Sequence, residues 1–363
     1  ISDKLNEITN TQQNKYESWQ SLTPEEQAYW ISAGGTPWNY NTNTLLDELN
    51  NKDLNIIDKI KELLKQASTI SSPLVLDINK DGTINTTGKI VNFDLDNNGY
   101  AESTAWVNSE DGILVYDKNN NGIIDNGSEL FGNNTTLSTG KLATNGFNAL
   151  ADYDLNKDGK IDSNDSIYSQ LRVWQDLNQN GISEAEEMLT LSELNIDTIN
   201  TAYTTSSTID QYGNEHRQIG AFTSNGETYN INDVWFRVDK ANTIDLNQVE
   251  ISEEIVQLPD IKGFGNVSSL HQAMAKDSTG ELQRVIEEFI ETKNKALIDE
   301  IIFKWTNVYD VNIASRGTYL SDARILEAME NLTGEEFNHN GNKNPGANSS
   351  NIIINAYINF KDF

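Results

Sequence analysis

The chain has 363 residues, with 55 Asp plus Glu against 26 Lys plus Arg and a formal net charge of −29. So acidic a surface repels phosphate backbones, which argues against nucleic acid as a partner and for cations; the absence of cysteine excludes disulfides and thiolate zinc sites, and three scattered histidines (His216, His271, His339) argue against a His-rich metal centre. Length predicts two or three domains, and 37% hydrophobic residues with seven Trp suffice for packed cores.

Residues 1–70 read as helical. Thr23-Pro24-Glu25-Glu26 combines a capping Thr, Pro at the first helical position and a Glu at the third, and Gly34-Gly35 closes the segment. A second helix over about 53–66 places Leu54, Ile57, Ile60 and Leu64 on one stripe, a core-packing pattern. Trp19, Trp30 and Trp38 fit either this helical core or an interaction surface. From residue 71 Asp, Asn and Gly dominate, interrupted by short strand-like runs: LVLDI at 74–78, KIVNF at 89–93, STAWV at 103–107 and ILVY at 113–116. Residues 205–240 read as β-hairpin material, with HRQIGAF and ETYNI flanking Ser224-Asn225-Gly226 and DVWFRV following at 233–238. Beyond about 255 the pattern returns to helix in LHQAMAKD, LQRVIEEFI, ALIDEIIFKW and DARILEAMENL; a polar loop from 338 then precedes the apolar stretch IIINAYINF. The expectation is therefore an α+β protein: a helical N-terminal region (1–70), a module of loops, short strands and hairpins (71–250), and a helical C-terminal domain (251–363).

One pattern is written five times in the middle segment. It starts at Asp77-x-Asn79-x-Asp81-Gly82, Asp94-x-Asp96-x-Asn98-Gly99, Asp117-x-Asn119-x-Asn121-Gly122, Asp154-x-Asn156-x-Asp158-Gly159 and Asp176-x-Asn178-x-Asn180-Gly181. Calcium takes six to eight oxygens, and alternate side chains converge on one point only if a glycine at position 6 permits a sharp turn. A backbone carbonyl at position 7 and a carboxylate near position 12 complete the EF-hand loop. The fifth loop has the whole set: Asp176, Asn178, Asn180, the Ile182 carbonyl, Glu184 and Glu187. The fourth offers Asp154, Asn156, Asp158, the Lys160 carbonyl, Asp162 and a shorter Asp165 at position 12. Apolar residues flank both (Phe147, Leu150, Tyr153; Ile167, Leu171, Trp174; Leu189, Leu191), which predicts a paired EF-hand with its helices. The third supplies Asp117, Asn119, Asn121, the Ile123 carbonyl and Asp125, with Glu129 one residue late. The second has Asp94, Asp96, Asn98, the Tyr100 carbonyl and Glu102 but Ala105 at position 12, and the first has Asp77, Asn79 and Asp81 but Gly88 there. These last two are expected to share an ion or borrow a distant carboxylate. Asp, Asn and Gly also favour ordinary turns; two consecutive loops with position-12 carboxylates argue for calcium instead. Two sites are expected, and up to five.

At these residues the sequence resembles a known family. SPLVLDINKDG, STAWVNSEDGILVYDKNNNGIIDNGSELFGNNT, NGFNALADYDLNKDGKIDS and LRVWQDLNQNGISEAEEMLTLSELNI are similar to the calcium-binding module of RTX-type secreted proteins, and most of all to the self-processing module of the FrpC-like iron-regulated exoproteins of Gram-negative bacteria. DVWFRVD resembles the usual end of that module, and LPDIKGFGNVSSLHQAMAKD with ALIDEIIFKW the helical region after it. The resemblance implies calcium-driven cleavage of an Asp-Pro bond just before the first loop, through attack of the Asp side chain on its own carbonyl, after which the freed carboxyl can join a Lys amine. Here Ser72 precedes Pro73, and the other prolines follow Thr23, Thr36, Leu258 and Asn344, so the chain has no Asp-Pro bond. GGxGxD nonapeptides are also absent.

The leading expectation is a calcium-folded structural or adhesive segment of a secreted or cell-surface protein, without catalytic turnover; the alternative is a calcium-dependent autoprocessing module or an inactive remnant of one. No nucleophile–base constellation supports a hydrolase. No apolar run approaches the ~20 residues that span a bilayer, and the N-terminus has no signal-peptide pattern, so neither membrane insertion nor a cleaved leader is expected and export would be type I-like. ISDKLNEITN lacks an initiator Met, from which a fragment or processed product is expected. Expected partners are calcium, other copies of the chain and neighbouring domains of a longer exoprotein.

Overall fold

A computed structural model describes residues 69–339 and 341–362. The helices expected across residues 1–68, with their three Trp, lie outside the described residues. The remainder divides between Ile244 and Asp245 into two compact units, and the protein is α+β.

The first unit is built on antiparallel strands: β1 (Thr69–Ser71), β2 (Leu74–Leu76), β3 (Thr86–Phe93), β4 (Tyr100–Val107), β5 (Gly112–Val115), β6 (Lys160–Ile161), β7 (Arg172–Trp174), β8 (Met188–Thr190), β9 (Ile196–Asn200), β10 (Thr204–Ile209), β11 (Glu215–Ser224) and β12 (Glu227–Asp245). The main path runs β6-β9-β11-β12-β2-β5-β7-β8, with β1 and β4 also on β12, β3 on β4 and β10 on β11. Successive residues of a strand point to opposite faces. Leu74 and Leu76 accordingly enter one core cluster with Leu114 and Val173, while Val75, Ile113, Val115 and Trp174 enter another. The central strands are buried on both faces, which is why LVL and ILV read as continuous apolar runs rather than alternating ones.

The expected hairpin forms, with Ser224 opposite Glu227 and only Asn225 and Gly226 in the turn. Their φ angles of 53° and 80° are those of a two-residue turn with both residues left-handed, which matches the twist of the strands. ETYNI and DVWFRV are not separate strands: β12 runs through both. Asn232 and Asp233, which suggest a break in sequence, are accommodated by partners from other elements. The amide of Asn232 meets His216 Nδ1 at 3.0 Å, and the Gly146 N–H donates to Asp233 Oδ2 at 3.0 Å.

The paired EF-hand expectation is corrected by the structure. A single short helix, α1 (Gly146–Ala151), precedes the fourth loop, capped by the Asn145 side chain, which accepts from Asn148 N. The fifth loop instead connects β7 to β8, with Arg172 opposite Thr190 and Trp174 opposite Met188. Runs of three or four residues carry no period, and here the sheet recruits them.

The second unit is helical, as its sequence pattern predicts: α2 (Glu253–Val256), α3 (Leu270–Lys276), α4 (Glu281–Thr292), α5 (Ile298–Trp305), α6 (Ala323–Thr333) and α7 (Ala347–Asp362). Helix α4 buries Leu282, Val285, Ile286 and Phe289, one face at helical spacing. The last apolar stretch is helical too, and α7 takes in the preceding ANSSN that reads as loop. Among the described residues no helix is long and apolar enough to cross a membrane.

Candidate metal centre

The five Asp-x-x-x-x-Gly loops share one backbone conformation. Position 4 is left-handed in each, at Lys80, Asn97, Asn120, Lys157 and Gln179 with φ between 58° and 65°. The glycine at position 6 follows with φ between 73° and 90°, a region that costs other residues strain. The first carboxylate then takes two amides from its own loop. Its Oδ1 accepts the N–H of position 5 at 3.0 to 3.2 Å, and its Oδ2 accepts that of the glycine at 2.8 or 2.9 Å. In each loop the side chain of position 5 accepts the N–H of position 7, over 2.7 to 3.2 Å. The first and fifth positions are therefore held in each loop by bonds that span five residues or fewer.

The later carboxylates differ in origin but close the loops similarly. In the fifth, Glu187 accepts Leu177 N–H at 2.8 Å, and both Asn178 and Asn180 reach Glu184 Oε1, at 3.3 and 2.9 Å. The third reproduces this through the late Glu129, which accepts Lys118 N–H at 3.0 Å and Asp125 N–H at 2.8 Å, while Asn119 and Asn121 both reach Asp125 Oδ2 at 2.8 Å. In the fourth, Asp165 accepts Asp162 N–H at 3.1 Å, and the Lys160 ammonium sits 2.7 Å from Asp162 Oδ2, holding that carboxyl below its ordinary range. The second closes through Glu102, which accepts Leu95 N–H at 2.8 Å, the bond that Glu129 and Glu187 make to position 2 of their own loops. Here Asp94, Asp96 and Glu102 bring oxygens within 4.8 Å of one another. Burial, and then the charge of Asp96, pushes Glu102 up to about 8. In the first loop Asp77 is buried, and Asp81, which accepts from Thr83 and Asn79, is exposed.

Several of these oxygens are buried without a donor: Asp96 Oδ1, Glu102 Oε1, Asp165 Oδ1 and Glu184 Oε2. A buried carboxylate oxygen is costly unless something positive completes it. Convergent, acceptor-only oxygens without sulfur or imidazole suit a hard divalent cation, so the donor set fits calcium.

Residues outside the motif tie the loops to the sheet. Trp106 Nε1 donates to Asp176 Oδ2 at 2.7 Å and Trp174 Nε1 to Glu187 Oε2 at 3.3 Å, and the two indoles pack edge to face at 5.4 Å. The fifth loop lies beside the third, where Ile124 N–H donates to Ser183 Oγ at 2.7 Å, whereas the sequence pairs it with the fourth. Lys240, from the far end of β12, sits 2.6 Å from Asp96 Oδ2. None of these partners is legible in the loop motif; the indoles are ordinary core aromatics in sequence.

Residues 74–237 match the family model of the SPM domain. All five loops fall inside this SPM segment, and the match ends within β12. The iron-regulated protein FrpA of Neisseria meningitidis serogroup C is 38% identical over 244 residues, which is 65% of this chain and 22% of that protein. The chain thus spans less than a quarter of that relative's length, and the aligned stretch is longer than the SPM segment. The expected likeness to a FrpC-like exoprotein module stands at this level.

Proposed function

We propose that the SPM segment is a calcium-folded structural and interaction module of an exported or cell-surface, RTX-like bacterial protein. The observation that carries this reading is the shared hydrogen-bond frame, in which each first-position Asp holds the amides of positions 5 and 6, together with the donor-less oxygens on Asp96, Glu102, Asp165 and Glu184. Calcium would cancel the mutual repulsion of these carboxylates. Each site that binds only the folded chain adds about 2.7 kcal/mol at a hundredfold excess of calcium over Kd. Free calcium is scarce in the cytosol, so such a chain stays loose where it is made and folds outside the cell. The module would then present surfaces to other copies or to neighbouring domains of a longer protein.

Equilibrium dialysis of calcium tests this reading. The wild-type chain should bind at least two equivalents, and Glu187→Gln, which removes a bidentate charge from the fifth loop, should bind one fewer or bind it at least roughly tenfold more weakly. Unchanged stoichiometry and affinity in the variant would remove the assignment.

A second reading, an inactive remnant of a self-cleaving module, is favoured by the surroundings of Ser72. This residue is 3% exposed, its N–H donates to Asn133 Oδ1 at 2.8 Å, and a Cβ on Gly132 would fall 1.6 Å from its carbonyl oxygen. The Ser72–Pro73 bond is thus held firmly, but Ser72 has no carboxyl to attack it. Millimolar calcium should leave the chain intact by mass spectrometry; fragments ending at residue 72 would mean that processing persists.

A further inference from the structure

The first loop lacks a closing carboxylate of its own, because Gly88 stands at position 12. In the third, fourth and fifth loops that carboxylate accepts the N–H of position 9: Asp125 donates to Glu129 at 2.8 Å, Asp162 to Asp165 at 3.1 Å and Glu184 to Glu187 at 3.4 Å. Position 9 of the first loop is Asn85, and its N–H donates to Asp111 Oδ2 at 2.8 Å. Asp111 belongs to the turn between β4 and β5, 26 residues away along the chain. That turn is locked to the same residue a second time, where Asn108 N–H donates to the Asn85 carbonyl at 3.0 Å.

Asp111 is 0% exposed, and its Oδ1 has no hydrogen-bond partner. The carboxylates of Asp77 and Asp81, the first and fifth positions of the loop, are near enough to repel it. A carboxylate needed only to receive the Asn85 amide has no use for a second buried oxygen among like charges, since that placement opposes folding unless a cation answers it.

We propose that Asp111 is the closing ligand of a divalent-cation site in the first loop, contributed by the β4–β5 turn in place of the missing position 12. The proposal rests on the calcium reading of the loops. A cation held there joins the segment between β2 and β3 to the turn between β4 and β5, so it links two connections far apart in sequence, whereas a loop that carries its own position 12 closes only on itself.

The test uses the full chain, calcium as the only added ligand, and glycine-selective 15N labelling, so that Gly82 reports on the first loop and Gly181 on the fifth. In the wild-type chain both amides should shift with calcium, and the Asp111 carboxyl carbon should move in step with Gly82. Asp111→Asn keeps an acceptor for Asn85 while removing the charge. It should raise the calcium needed to shift Gly82 at least roughly tenfold and leave Gly181 unchanged; Asp111→Glu should recover part of the loss. A wild-type Gly82 response in D111N, or an Asp111 carboxyl that ignores calcium while Gly82 responds, overturns the proposal and leaves the calcium reading standing. So does a Gly181 response without one at Gly82 in the wild-type chain. Silence of both amides in the wild-type chain overturns the calcium reading itself. The carboxyl measurement needs no variant, so it decides the matter even if D111N fails to fold.

Discussion

Asp233 illustrates what burial does to a single ionisable side chain. It sits in β12 opposite Leu74, 0% exposed, with Gly146 N–H on one oxygen and no partner on the other. Burial raises its carboxyl from an ordinary 3.8 to about 7. The folded chain therefore keeps a proton that the unfolded chain releases near pH 4. The associated stability is fully present below that pH and is lost as pH rises through about 7. Asp233→Asn retains an acceptor for Gly146 and cannot ionise. Relative to wild type, the variant should gain on the order of 1 kcal/mol or more between pH 5 and pH 8, read as the difference between their urea denaturation curves at the two pH values with calcium saturating.

At the scale of elements, the loops are connections whose ends are set by strands. The second joins β3 to β4 and the fifth joins β7 to β8, so the register of each pair fixes where the two ends of a loop stand. Indoles then pass the rigidity of the sheet to the carboxylates, as Trp106 in β4 does for Asp176. Support of this kind typically alters metal affinity by ~10- to 100-fold when removed. Trp106→Phe keeps an aromatic ring beside Trp174 and Phe236 but loses the N–H. It should weaken calcium at the fifth loop by roughly tenfold, with far less effect on the fourth, as resolved by the Gly181 and Gly159 amides in a calcium titration.

Over the whole molecule, charge is unevenly spread. Between residues 77 and 190 there are 19 Asp plus Glu against 7 Lys plus Arg, and the donor-less carboxylate oxygens of the loops lie in that stretch. The helical unit from Asp245 carries 19 Asp plus Glu against 10 Lys plus Arg, but among its described residues no carboxylate oxygen is buried without a donor, and several acids are paired, as in Lys276 with Asp245 and Arg324 with Asp322. Chelation should therefore strip hydrogen-exchange protection from residues 71–204 well before it affects α4 to α6. Equal protection in both regions under chelator would count against calcium-coupled folding.

The loops were legible in the sequence because their geometry is local: a carboxylate binding amides four and five residues on needs only the right residue types and a glycine free to take a left-handed φ. The helices of the second unit were legible for a similar reason, since a stripe such as Leu282, Val285, Ile286 and Phe289 repeats over enough turns to define its period. The runs 172–174 and 188–190 are too short to carry a period, and they became strands only because neighbouring strands offered hydrogen bonds and a buried face. The continuity of β12 likewise depended on His216 and Gly146, which receive Asn232 and Asp233 from elsewhere in the chain. The closing carboxylates divide along the same line: Glu187 could be counted out from Asp176, whereas Asp111 meets the first loop only where the β4–β5 turn folds back against Asn85. Sequence by itself determined the five loop frames and their oxygen chemistry, because those bonds span five residues or fewer. Only the tertiary structure decided which loops lie side by side, which indoles brace them and which distant carboxylate faces the first, because those contacts exist only once the sheet has closed around them.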